Sequence, residues 1–182
     1  MSGLADVYAR QFESCTIRSE HAAEVQGEVD RMRMHRQRYA EVAGQFPGMP
    51  WWVPAVLHSM ECGLDFHQHL HNGDPLSART VQVPKGRPLK GKPPFTWEES
   101  AVDALVCDGL DQVRDWSAGA ALVAFENYNG TGYRRRGVPS PYLWSYTDLY
   151  RCGKYTADGH YDPQAVSRQS GCAALMRLLL EP

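Results

Sequence analysis

Apolar positions recur with a helical period along most of this chain and with a strand-like period over one short stretch. From Ser19 to Ala43, the residues Ala22, Val25, Val29, Met32, Tyr39 and Ala43 fall at spacings of three, four or their sum. That pattern predicts one long amphipathic helix, capped by Ser19 and stopped by Gly44 and Pro47. A shorter helix is expected before it, from about Leu4 to Glu13, with a break near Cys15-Thr16-Ile17. Another runs to Glu61, entered through Pro50, with Pro54 tolerated in its first turn and Gly63 ending it. Leu64, Phe66 and Leu70 then alternate with Asp65, His67, His69 and His71, a period of two that predicts a strand. Asn72-Gly73 supplies a hairpin turn, and Thr80-Val81-Gln82-Val83 is the expected returning strand.

Pro84 to Pro94 is a Pro/Gly/Lys loop, too poor in apolar residues to join a core. Thr96 to Cys107 resumes helix, with Thr96 and Glu99 forming a capping box. Ala118 to Phe125 is small and apolar almost throughout, which marks a buried central helix ending at Glu126-Asn127-Tyr128-Asn129-Gly130. A loop rich in Gly, Pro, Tyr and Arg follows to about Tyr150, and Pro163 to Leu180 is read as the closing helix. The sum is a single α+β domain, mostly helical with one small hairpin and without internal repeats, its residues 1–45 packing as N-terminal helices on the body.

The 182 residues, 43% hydrophobic and 22% charged, suit one domain able to close a core. A formal net charge of -2 argues against nucleic-acid binding through global positive charge. Arg31, Arg33, Arg36 and Arg38 are mixed with Asp30 and Glu41 and read as a solvated face. No stretch approaches the roughly 20 apolar residues that span a bilayer, so no stable membrane insertion is expected. The five cysteines are scattered and form no C-x-x-C pair, which speaks against structural zinc or a disulfide framework.

Glu61 is the leading candidate for chemistry. It shares a helical face with Val53 and Leu57, so it points toward the core rather than toward water. Burial there, the negative end of its own helix and any neighbouring carboxylate all favour the protonated form, which glycosidic cleavage needs in order to protonate the leaving oxygen. The competing reading is a helix-end acid paired with Arg79 or Arg87. A hairpin folded over the helix end would bring Asp74 and Thr80 opposite Glu61, the first steadying positive charge or orienting a water, the second holding that water. The alternative is that Asp74 serves the Asn-Gly turn and Thr80 is an ordinary strand residue. Glu126, closing the buried helix, is a candidate second carboxylate or a helix-end charge that meets the Arg134-Arg135-Arg136 run.

The sequence Glu61, hairpin, Asp74, Thr80 resembles the Glu/Asp/Thr active-site arrangement of phage lysozymes. His69-Leu70-His71-Asn72-Gly73-Asp74-Pro75-Leu76, Val83-Pro84-Lys85-Gly86-Arg87-Pro88 and Tyr128-Asn129-Gly130 resemble lysozyme-like endolysins of phages and prophages, and the last is similar to the Tyr-Asn-Gly motif of lytic transglycosylases. Two departures stand out: the interval from Glu61 to Asp74 exceeds that of the best-known phage lysozymes, and Cys62 stands where many transglycosylases carry Ser. The resemblance implies a lysozyme-like fold, a monomer without cofactor or metal, and cleavage of the MurNAc-GlcNAc glycan strand of peptidoglycan. Glu61 would be the general acid, with Asp74 and Thr80 as its catalytic partners. Glu126, Tyr128, Asn129, Tyr133, Tyr142 and Trp144 would bind substrate, because sugar faces pack on aromatic rings while hydroxyls take hydrogen bonds. With no basic-then-apolar leader, such a chain is expected to gather in the host cytoplasm and reach the periplasmic wall on release.

Rival expectations come from the same stretch. His67, His69 and His71 share one face of the expected strand, a geometry able to hold zinc with Asp65 or Asp74 in an amidase or peptidase, with His58 and His160 as distant supplements. Cys62 beside these histidines suggests a thiol nucleophile, although a helix C-terminus opposes the thiolate. A wall-binding or phage structural protein without turnover is the remaining class.

Overall fold

The computed structural model describes residues 3–157 and 159–181. Its contacts divide the chain into two compact units, residues Asp30–Trp116 and residues Met1–Val29 with Ser117–Pro182. The class is the expected one, mostly helical with a small two-stranded antiparallel sheet.

The Asp30–Trp116 unit is built on three helices: α3 (Arg36–Ala43), α4 (Trp52–Cys62) and α5 (Trp97–Cys107), with α3 packed on both others. The long helix expected from Ser19 to Ala43 is broken. A 3-10 turn over Ser19–His21 leads into α2 (Ala22–Met34), and His35 leaves helical geometry at φ -102°, ψ 16° before α3 begins. The His35 ring lies edge-on to Phe66, centroids 4.8 Å apart. Helix α4 buries Trp52 to His58 without interruption, together with Met60 and Cys62, and Gly63 closes it in the left-handed conformation at φ 57°. Helix α5 starts as expected, with Thr96 accepting from the Glu99 backbone N–H and the Glu99 carboxylate accepting from that of Thr96.

The hairpin expected over 64–83 is corrected by the structure. Residues 64–96 form a long loop whose one ladder-like pairing is the isolated bridge between Gln68 and Pro75. A two-residue type I′ turn needs positive φ at both central residues, yet only Gly73 has it, at 79°. Asn72 instead uses its side-chain oxygen to accept from the Asp74 N–H, a local bond that competes with strand geometry. The alternation of 64–71 fails too, because His69, Leu70 and His71 are all buried.

In the other unit, α1 (Leu4–Ser14) lies against α6 (Ala118–Asn129). Gly119 makes that approach possible: a Cβ there would fall inside contact distance of the Ala5 carbonyl and 2.9 Å from the Ala9 nitrogen. Short helices α7 (Gly132–Arg136) and α8 (Pro141–Trp144) occupy the expected loop, and α9 (Cys172–Leu179) packs on α6 and α8. The sheet lies here, β1 (Lys154–Ala157) pairing with β2 (His160–Asp162) around Gly159 at φ 69°. The closing helix is therefore shorter than the Pro163–Leu180 expectation.

Candidate functional site

The sequence-derived candidates fall in both units. Glu61, Asp74 and Thr80 belong to the Asp30–Trp116 unit, while Glu126, Tyr128, Asn129, Tyr133, Tyr142 and Trp144 belong to the other.

Glu61 sits half-buried in the last turn of α4, eight and four residues after the fully buried Val53 and Leu57. The 68–73 turn folds against this helix end. Cys62 Sγ donates to the His69 carbonyl at 3.2 Å, and a Cβ on Gly73 would lie 3.8 Å from the Glu61 carbonyl oxygen. Burial, with the Glu61 charge beside it, pushes the Cys62 thiol up to about 12, which leaves it a poor nucleophile at neutral pH.

Asp74 and Thr80 hold the loop together. The Asp74 carboxylate is 5% exposed and accepts from the backbone N–H of Val81 at 2.7 Å, that of Gln82 at 3.0 Å and the Gln82 side chain at 3.0 Å. These donors, the Gln82 N–H foremost, hold the carboxyl below its usual range. Thr80 exchanges backbone hydrogen bonds with Gly86 and Arg87, accepts from the Arg87 N–H on Oγ1 and donates from that oxygen to Pro84. The expected water-holding and charge-steadying atoms are thus occupied by the loop's own groups.

The three loop histidines part company. His67 is exposed and bonds Asp65 through Nδ1 at 3.0 Å. His69 is buried, with Nδ1 2.8 Å from Ser100 Oγ and Nε2 2.8 Å from the Ala78 carbonyl. His71 places Nε2 2.9 Å from Asp103, which also meets Arg87 at 3.4 Å. Among the described residues no group of three His, Cys, Asp or Glu side chains could hold a metal ion. The chelating face drawn from sequence needed a regular strand, and none forms. His58 is fully buried among Tyr39, Phe66 and Trp97, and desolvation lowers it to about 4.

Two clefts open in the other unit. The larger, of about 640 Å³, is lined by Asn129, Tyr133 and Tyr142 from the sequence-derived set. They are joined by Lys154, Tyr155, Thr156 and Gln169, which sequence reasoning missed. Tyr133 and Tyr155 are pinned. Tyr133 accepts from the Tyr155 N–H at 3.0 Å, its ring stands edge-on to Tyr155 with centroids 5.1 Å apart, and Arg136 donates to the Tyr155 hydroxyl at 2.9 Å. The Asp158-Gly159 dipeptide and the Lys154-Tyr155-Thr156 run were the available sequence signals for the hairpin that brings Tyr155 here. Asp158 itself lies outside the described residues.

Glu126 and Trp144 line the second cleft, of about 350 Å³, with Tyr8, Gln11, Arg134 and Ser140. Trp144 is 3% exposed and packs edge-on with Tyr8, so most of its ring serves the core. Glu126 is 2% exposed and accepts from the Tyr8 hydroxyl, whose pKa burial and this carboxylate raise. Its Oε2 lies 3.4 Å from Arg134 Nε, an ion pair without hydrogen-bond geometry, and has no hydrogen-bond partner. Tyr128 is half-buried on α6 and, unlike its neighbour Asn129, lines neither of these clefts.

Comparison with protein-family models, with curated proteins and with solved structures gives no match. Among the described residues no helix is long and apolar enough to cross a membrane.

Proposed function

We propose that this chain is a peptidoglycan-degrading glycosidase that cleaves the MurNAc-GlcNAc strand with Glu61 as general acid. The observation that carries the reading is Glu61 itself, an acid half-buried in the last turn of an apolar helix; separately, in the other unit, Asn129 and the edges of the largely buried Tyr133 and Tyr142 line one concavity with Tyr155 that would bind glycan. An amide beside fixed aromatic rings suits a glycan, whose C–H faces pack on rings while its hydroxyls seek donors and acceptors. The acid is assigned to Glu61 because it ends an apolar helix half-buried, with the 68–73 turn folded against that end.

The engagement of Asp74 favours a second reading within the same class. Two-carboxylate hydrolysis requires a second acid that can turn to water or the sugar, and three of the roughly four acceptor positions of Asp74 are taken by N–H donors of its own loop. Lytic transglycosylation needs the proton donor, while the sugar's own 6-hydroxyl attacks and leaves a 1,6-anhydroMurNAc end. Mass spectrometry of muropeptides released from purified walls tests both. Reducing MurNAc ends are expected for the hydrolase and anhydro ends for the transglycosylase; release of peptides alone, or of nothing, would refute the glycosidase reading.

A further inference from the structure

The second cleft holds polar atoms that the fold leaves unused. Glu126 Oε2, Gln11 Oε1 and Ser140 Oγ are buried without hydrogen-bond partners, and all three side chains line the same 350 Å³ space. Glu126 is 2% exposed and Ser140 4%. Arg134 is half-exposed, its Nε lies 3.4 Å from Glu126, and a guanidinium carries further N–H donors on its Nη atoms that suit a carboxylate. Tyr8 steadies the acid by donating to it.

These atoms describe a particular ligand. Three acceptors that lack hydrogen bonds match the three N–H bonds of a primary ammonium, and a guanidinium beside them matches a carboxylate. A simple cation would meet repulsion from Arg134 and a simple anion repulsion from Glu126. A group carrying both charges on one carbon satisfies each. We infer that the cleft around Glu126 and Arg134 is a binding site for a zwitterionic α-amino-acid centre, with Glu126, Gln11 and Ser140 taking the ammonium and Arg134 the carboxylate. The source assigned to it, the free amino-acid end of a diaminopimelate side chain in a peptidoglycan stem peptide, rests on the proposed wall-degrading function.

The test is isothermal titration calorimetry of the full chain with meso-diaminopimelate and with its two truncated forms, cadaverine, which lacks the carboxylates, and pimelate, which lacks the amines. Saturable binding of diaminopimelate is expected, at least tenfold tighter than either truncated form. Glu126→Gln and Arg134→Gln should each weaken it at least tenfold. Circular dichroism checks the fold of each variant, and the comparison of diaminopimelate with its truncated forms on the wild-type chain tests the site should either variant not fold. No binding of diaminopimelate, equal binding of a truncated form, or affinity unchanged in Arg134→Gln would overturn the site. A disaccharide-tetrapeptide with a free diaminopimelate centre should bind at least as tightly as the free amino acid; failure to bind would overturn the stem assignment. Calorimetry reads occupancy without turnover, so this inference and the glycosidase reading fail separately.

Discussion

Two buried carboxylates in this protein are treated in opposite ways. Asp74, in the loop of the Asp30–Trp116 unit, is met by three N–H donors that tie residues 74–82 into one loop. Glu126, in the other unit, has a hydroxyl from Tyr8, an ion pair with Arg134 at 3.4 Å and one oxygen with no hydrogen bond. A buried acid that organises backbone spends its lone pairs on amides; one that waits for a ligand keeps some. An unmet buried polar atom costs about 1–3 kcal/mol, more when charged, so such atoms collected in one cleft need a reason. The two units also cohere differently. Hydrogen bonds to side chains shape the 64–96 loop, while α1 and α6 close up through a glycine seam.

Gly119→Ala tests that seam and carries the largest expected effect on stability. Its methyl would press into the α1 backbone at Ala5 and Ala9, which cannot retreat without separating the helices. A loss of about 3 kcal/mol or more is expected from chemical denaturation, with the tyrosine-lined and Glu126 clefts lost together. A cost under about 1 kcal/mol would show that the α1–α6 packing is looser than drawn.

The Asp30–Trp116 unit should carry an acid sensitivity of its own. Desolvation lowers His58 from 6.5 to about 4, so between those values the unfolded chain takes up a proton that the folded chain refuses. Stability from this group is complete above pH 6.5 and drains as pH falls to about 4, by a total on the order of 3 kcal/mol. Denaturant midpoints measured across that range should fall steeply in the wild type and flatten in His58→Gln. An unchanged slope would mean that another group titrates.

The smallest effect belongs to the direct contrast between the acids. Asp74→Asn weakens three loop contacts at once and should lower the thermal midpoint. Glu126→Gln removes a charge whose partner, Arg134, is already half in water, so it should change stability by no more than about 1 kcal/mol. If Glu126→Gln proves the more damaging, the division between organising and waiting acids is wrong.

How far the chain could be read from its sequence follows the same division. Helices with their own signals were legible: α1 up to the break near Cys15-Thr16-Ile17, α5 from the Thr96/Glu99 box, α4 from its apolar run and Gly63. The loop at 64–96 misled because its cues were local. Alternation and an Asn-Gly pair look alike whether Asn72 joins a ladder or bonds Asp74, and only tertiary contacts bury His69 and His71 against Ser100 and Asp103. Asn129, Tyr133 and Tyr142 were chosen for their chemistry and line a common cleft. Tyr8 and Gln11 could not be chosen, since nothing in the sequence says that α1 lies against α6.

The proposed glycan cleavage requires Glu61 to act as proton donor. Glu61→Gln keeps the size and the helix and removes the acid. With circular dichroism showing an unchanged fold, the variant should clear a suspension of purified cell walls at least a hundredfold more slowly than the wild type, since general acid catalysis contributes factors of roughly 10²–10⁴. Clearing at near wild-type rate would contradict a general-acid role for Glu61.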